Sequence, residues 1–269
     1  MKQEKQKKKS RSVTGILSTI VLILAVCVFL YAAYQLFSIF REYKKGTDEY
    51  DSLREYVQVT EPEEEEQVDE EGQVIPANEF PQCPIHVDFV SLKKINADIV
   101  GWIYIEAIPT ISYPVVKGTD NEYYLTHTVE GIKNSSASIF LDYRNASDFS
   151  DSNTIIYGHN MKNQSMFGIL SKMTEQDVYE KSPYIWIITE SGEICYEVFS
   201  ARNVPDTDAL YSAFQVEPSQ FKTMLDGYLT YSQIKTDITF DGTEKIITLS
   251  TCTSNDRVRC VVQAVRRDF

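Results

Sequence analysis

Lys245-Ile-Ile-Thr-Leu-Ser-Thr-Cys252, a polar turn at Thr253–Asp256 and Arg259-Cys-Val-Val-Gln-Ala-Val265 together spell a β-hairpin, two β-branched runs joined by a short connection. Side chains alternate along a strand, so Ile247, Leu249 and Thr251 share one face, apolar enough to be core. Thr248, Ser250 and Cys252 share the other. Cys252 then sits at the strand end on the more polar face, and the returning strand brings an arginine back beside it. A nearby guanidinium favours thiolate over thiol and can donate to an anionic oxygen. Arg257 and Arg259 have the same parity, so spacing leaves both open for that place. Cys260 has the opposite parity and belongs in the core, which argues against a Cys252–Cys260 disulfide. A lone cysteine is by default a small buried hydrophobe, and it is this neighbourhood that singles out Cys252.

Outward from the hairpin, short β-branched and aromatic runs repeat: Gly101–Ile105, Ile111–Val116, Ser138–Tyr143, Thr154–Tyr157, Tyr184–Thr189, Ile194–Ala201 and Thr236–Thr239. Turn residues such as Asn145, Asp151–Asn153, Ser191–Gly192 and Asp241–Gly242 separate several of them. Many short strands with turns between them predict a mainly β domain built as a closed or nearly closed barrel. Helical spacing appears in Val87–Asn96, in Ser165–Met173 and in Pro218–Tyr231, where Pro occupies a favourable first-turn position ahead of Phe221, Met224, Leu225 and Tyr228.

The N-terminus is an address. A basic head, residues 1–11, precedes Ser12–Phe40, 29 residues without a charge and long enough for a bilayer-crossing helix. The positive-inside preference keeps the head in the cytoplasm and puts the remainder outside, a single-pass cell-membrane topology. A cleaved signal would have a shorter apolar region and a small-x-small site beyond it, whereas this run continues through Leu36–Phe40. A lipoprotein site at Cys27 would need a small residue where Val26 stands. Residues 41–79 read as a helical stalk and then an extended acidic linker, because Glu61–Glu71 holds eight acids and no base. The catalytic domain is expected over residues 80–269.

Charge excludes one class of partner. Met1–Lys45 carries 9 Lys/Arg against 2 acids, leaving the rest with 17 basic and 37 acidic residues, and no basic cluster follows Lys45, so nucleic acid is set aside. The five cysteines show no CxxC and no Cys/His grouping at zinc spacing, so neither metal nor cofactor is expected. Three histidines are available for a Cys/His mechanism. His159 ranks first, since Asn153-Thr-Ile-Ile-Tyr-Gly-His-Asn-Met161 runs an apolar strand into Gly158-His159, a strand end beside a flexible backbone point. His127, among aromatics in Tyr123-Tyr-Leu-Thr-His127, packs or lines the site, and His86 comes last.

Thr248-Leu-Ser-Thr-Cys252 resembles the TLxTC signature of sortases, and Arg259 before Cys-Val-Val resembles the sortase arginine opening the next strand. Asn96-Ala-Asp-Ile-Val-Gly-Trp102, Ile111-Ser-Tyr-Pro-Val115, Asp120-Asn-Glu-Tyr-Tyr-Leu125, Ser138-Ile-Phe-Leu-Asp-Tyr-Arg144 and Tyr157-Gly-His-Asn-Met161 resemble the class B branch, and with the cysteine signature they make six motifs in order over roughly Phe89–Val265. The Pro218–Tyr231 helix is similar to the one class B members place before the strand leading to the cysteine. The connection from Cys252 to Arg259 looks shorter than in some class B members, and Arg257 is a rival for the arginine's place.

The resemblance implies a sortase-type closed barrel with N-terminal helices, tethered by one transmembrane helix. It implies a cysteine transpeptidase that cuts the C-terminal sorting motif of secreted surface proteins after Thr and joins that Thr to an amine of the peptidoglycan precursor. Cys252 would be the nucleophile, His159 the proton-transfer partner and Arg259 the oxyanion stabiliser, with Ser250, Thr251, His127, Tyr157 and Asn160 contacting substrate. Two other readings stand beside it. A pilin-polymerising member would be expected to carry a second apolar span near the C-terminus, where this sequence shows the charged Arg266-Arg-Asp. A catalytically idle wall-binding module would leave Cys252 merely packed.

Overall fold

The computed structural model describes residues 13–60, 81–252, 255 and 257–267. The basic head, the acidic linker and most of the Thr253–Asp256 turn lie outside the described residues. Helix α1 spans Val13–Arg54, and the chain divides into two compact units between Lys45 and Gly46. In the first unit, the apolar side chains from Leu17 to Phe40 are exposed, and the helix is long and apolar enough to cross a membrane.

The second unit starts at Gly46, upstream of the boundary near residue 80 expected from sequence. The last turns of α1 explain why. Tyr50 and Leu53 are buried, and Arg54 stacks its guanidinium 4.8 Å above the Tyr113 ring while donating to the carbonyls of Thr110 and Ser112. Two apolar residues in a charged segment are too few to register as periodicity, yet they suffice to dock a helix end.

Strand β1, Val57–Val59, pairs antiparallel with β2, Ile85–Val87. Asp88 then caps α2, Phe89–Ile95, its carboxylate accepting from the Ser91 amide at 3.0 Å. The remaining elements are β3 Ile99–Ile105, β4 Ser112–Val116, β5 Ile139–Leu141, β6 Asn153–Tyr157, α3 Gln176–Tyr179, β7 Tyr184–Thr189, β8 Gly192–Pro205, α4 Pro218–Thr230, β9 Ile246–Cys252 and β10 Val258–Arg267. Eight strands close a barrel in the order β10-β8-β7-β3-β4-β5-β6-β9. The pairs β4–β5 and β6–β9 are parallel, and the others are antiparallel.

Helix α4 covers the outer face of β8, β9 and β10. Its Phe221, Leu225 and Tyr228 pack with Phe199, Val204, Phe240, Ile246, Val261 and Val265. Residues 247, 249 and 251 therefore face the barrel interior, while 246, 248 and 250 share the α4 side, the parity of position 252.

Two expected elements differ. Thr236–Thr239 forms no strand: Ile238 and Phe240 are used to pack against the α4 cluster, and the segment finds no ladder partner among the described residues. Ser165–Met173 is not a helix, and only the 3-10 turn Leu170–Thr174 forms there. Gln164 and Met166 adopt φ of 65° and 54°, which a right-handed helix does not allow, and this turns Met166 and Phe167 into the core.

Candidate active site

Backbone register assembles the site. Across β9 and β10, Cys252 stands opposite Arg259, Thr251 opposite Cys260 and Ser250 opposite Val261. Across the parallel pair β6–β9, Tyr157 stands beside Ser250, and the Gly158 amide donates to the Ser250 carbonyl at 3.2 Å. His159 and Cys252 each lie two residues beyond that level on strands running the same way. Adjacent strands are about 4.8 Å apart, so the three backbone positions 159, 252 and 259 meet at one rim of the barrel. Arg257 is exposed in the turn before β10, its amide donating to Asn255 Oδ1 at 3.0 Å. Strand parity therefore does not govern Arg257, and of the two arginines only Arg259 is paired with Cys252.

His159 is half-buried, and its Nε2 lies 2.7 Å from the Leu125 carbonyl oxygen. A carbonyl only accepts, so Nε2 carries a proton and Nδ1 is the nitrogen left for exchange. Gly158 is buried, and a Cβ there would strike Ile139 and the Phe167 ring. This glycine serves close packing of β6 against its surroundings, not the flexibility that the sequence suggested. The Phe167 amide returns to the His159 carbonyl at 3.0 Å and fixes the backbone there. His127 stacks on Tyr123 with centroids 4.3 Å apart, and its Nδ1 donates to the Tyr123 carbonyl at 3.0 Å. It lies two residues from Leu125, on the loop that touches His159.

The face of β9 that bears Thr248 and Ser250 is polar, as its composition indicates, but it is covered rather than open. Both residues are buried. The Tyr211 and Ser250 hydroxyls lie 2.8 Å apart, and Thr248 Oγ1 donates to Asn153 Oδ1 at 2.7 Å. The Tyr157 ring stacks on Tyr211 at 6.4 Å. Thr251, which the family resemblance offered beside Ser250 as a substrate contact, is turned to the barrel interior beside Cys260, as strand alternation predicted, and is buried there. Asn160 is exposed and bridges to Met166.

A carboxylate that sequence reading left among the family motifs is the hub beneath this rim. Asp142 is fully buried and accepts from the Arg144 amide (3.0 Å), Arg144 Nε (2.9 Å), Arg144 Nη2 (2.7 Å), Asn121 Nδ2 (3.0 Å) and the Tyr157 hydroxyl (3.0 Å). Burial opposes its charge, but these donors outweigh burial and hold its carboxyl below the usual range. Burial first, then Asp142, drives the Tyr157 phenol upward, so it remains a donor. The only signal in the sequence was an Asp and an Arg two apart after a strand; Tyr211, in the 3-10 turn Ala209–Ser212, carried none.

Three other cysteines are buried thiols. Burial pushes Cys83 and Cys195 up to about 12 and Cys260 up to about 11. Among the described residues, no group of three His, Cys, Asp or Glu side chains is placed to hold a metal ion.

A cysteine, a histidine and an arginine whose backbone positions share one rim are the groups that thiol-dependent acyl transfer uses as nucleophile, base and oxyanion donor. The sortase-domain family model matches residues 103–267. Sortase B of Listeria monocytogenes is 40% identical over 178 residues, covering 64% of this chain and 71% of that protein. Sortase B of Staphylococcus aureus is 31% identical over 234 residues, 87% of this chain and 88% of that one. The solved S. aureus sortase B–substrate complex aligns with TM-score 0.63 at 34% identity, covering 67% of this chain and 84% of that one. A sortase B complexed with triglycine aligns with TM-score 0.62 at 34% identity over 67% and 85%. The chain belongs to the sortase family, in its class B branch, and is a cysteine transpeptidase.

Proposed function

We propose that this chain joins secreted proteins to a cell-wall amine, with Cys252 as nucleophile, His159 as proton carrier and Arg259 as oxyanion donor. The observation that carries it is the register: Cys252 opposite Arg259 on one side, and the strand leading to His159 parallel to it on the other. Relatives solved with a substrate and with triglycine support a peptide acyl donor and an amine acceptor.

The Cys252 thiolate attacks the carbonyl carbon of the sorting-motif Thr, and the Arg259 guanidinium donates to the oxyanion. His159, protonated on both nitrogens, gives its Nδ1 proton to the leaving amine while Nε2–H stays on Leu125. The C–N bond breaks and a thioester remains on Cys252. The incoming amine loses a proton to Nδ1, attacks the thioester, and Cys252 leaves as thiolate. Helix α1 holds the enzyme in the membrane, with the basic head cytoplasmic and the barrel outside, where exported proteins and lipid-linked wall precursors arrive.

The test is intact-protein mass spectrometry of the full chain with a sorting-peptide library and triglycine. A hydroxylamine-labile acyl adduct on Cys252, released as peptide–triglycine, is expected. An adduct that persists in Cys252→Ala, or turnover unchanged in that variant, overturns the assignment.

A further inference from the structure

The loop from Asp120 to Ser138 holds His159 through one atom, the Leu125 carbonyl oxygen, and is itself held from behind by the end of α1. Three contacts make that hold. The Tyr50 hydroxyl donates to the Ala137 carbonyl, at a residue with φ of 52°. The Glu49 carboxylate accepts from the Glu130 amide at 3.0 Å. Gly46 lies so close to the loop that a Cβ would sit 2.5 Å from Ser136 Oγ.

From the Ala137 anchor, the backbone and hydrogen bonds together lead to the residues on either side of Leu125. Ser138, next to Ala137, donates through its hydroxyl to the His127 carbonyl at 2.8 Å and through its amide to the Tyr124 carbonyl at 3.1 Å. Leu125 sits between those two residues. On the opposite flank Asn96 and Asp98 grip the Tyr124 hydroxyl at 2.8 and 2.7 Å. Leu125 itself is 45% exposed, so core packing does not fix its carbonyl. The braces on either side do.

We infer that Glu49 and Tyr50 of α1 are positioning residues for the transpeptidase, acting through the 120–138 loop to keep Leu125 O against His159. This rests on the proposed role of His159. The membrane-proximal helix end is thereby part of the catalytic unit and not only a tether. The titratable Asp98 faces this loop through Tyr124, and the loop itself carries His127 and Glu130.

The experiment uses the full chain in detergent micelles, comparing parent, Glu49→Gln/Tyr50→Phe and His159→Ala. Tyr50→Phe keeps the ring that packs edge-on at 5.5 Å against Tyr113, so folding is retained. The double variant is expected to lose about tenfold in kcat, the scale of one buried hydrogen bond, with peptide KM within about twofold of the parent. The imidazole 15N spectrum of His159 changes from the Nε2–H form alone to a mixture of tautomers. Parental kcat and a single tautomer in the double variant overturn the inference, as does a kcat loss that tracks a lower melting temperature with the tautomer unchanged. An active His159→Ala protein would instead refute the assignment of His159, whatever the double variant does.

Discussion

Asp142→Asn is the sharpest probe of how the rim is held. The carboxylate receives two donors on Oδ1, the Arg144 amide and Nε, and three on Oδ2, from Arg144 Nη2, Asn121 and Tyr157. An asparagine keeps one oxygen. Either way its amide is turned, at least two donors meet an NH2 group and the ion pair loses its negative partner. Breaking a buried pair costs about 3–5 kcal/mol. The Arg144 side chain is 41% exposed and regains water, which lowers the expected cost to about 2–3 kcal/mol. For a domain of this size that corresponds to a melting temperature lower by roughly 4–12 °C.

The sign of the pH dependence follows from the depressed carboxyl. Its stabilisation is fully present above the unfolded value, about pH 4, and is lost as pH falls through the lower folded value. Circular-dichroism melts of parent and variant should therefore differ most near pH 7 and converge below about pH 4. A variant melting within about 2 °C of the parent at pH 7, or a gap that widens in acid, would refute the reasoning.

Gly158→Ala should impair both fold and turnover, because the new methyl meets Ile139 and Phe167 one residue before His159; an overpacking cost of about 1–3 kcal/mol is expected in denaturant unfolding. Arg259→Gln should lower kcat by about 10²–10³ while Arg257→Gln stays near the parental rate, checked by steady-state kinetics on a reporter peptide. In a Cys27→Ala background, iodoacetamide at pH 8 should alkylate Cys252 first. Cys83 and Cys195, at about 12, and Cys260, at about 11, should react only after unfolding, as read by peptide mapping.

The strands were legible where alternation met a turn residue: Tyr184–Thr189 matches its expected span, and the hairpin of β9 and β10 follows from β-branched runs on either side of a polar turn. Thr236–Thr239 misled because an extended, β-branched run packs equally well without a ladder. Ser165–Met173 misled because its apolar spacing serves a turn with positive φ at Met166. Asp142 was present in a motif but had no visible partner, since Asn121 and Tyr157 lie 21 and 15 residues away.

Local chemistry by itself determined the membrane-length helix, the strand-rich domain and the isolated cysteine at a strand end beside a returning arginine. These depend on neighbours within a few residues, and short-range periodicity records them. Only the tertiary structure decided which arginine is paired with Cys252, that Leu125 O holds His159, and that α1 ends inside the catalytic unit. Each of those depends on register between distant strands or on one contact across a closed barrel, and the sequence pattern on either side of such a contact is the same whether it forms or not.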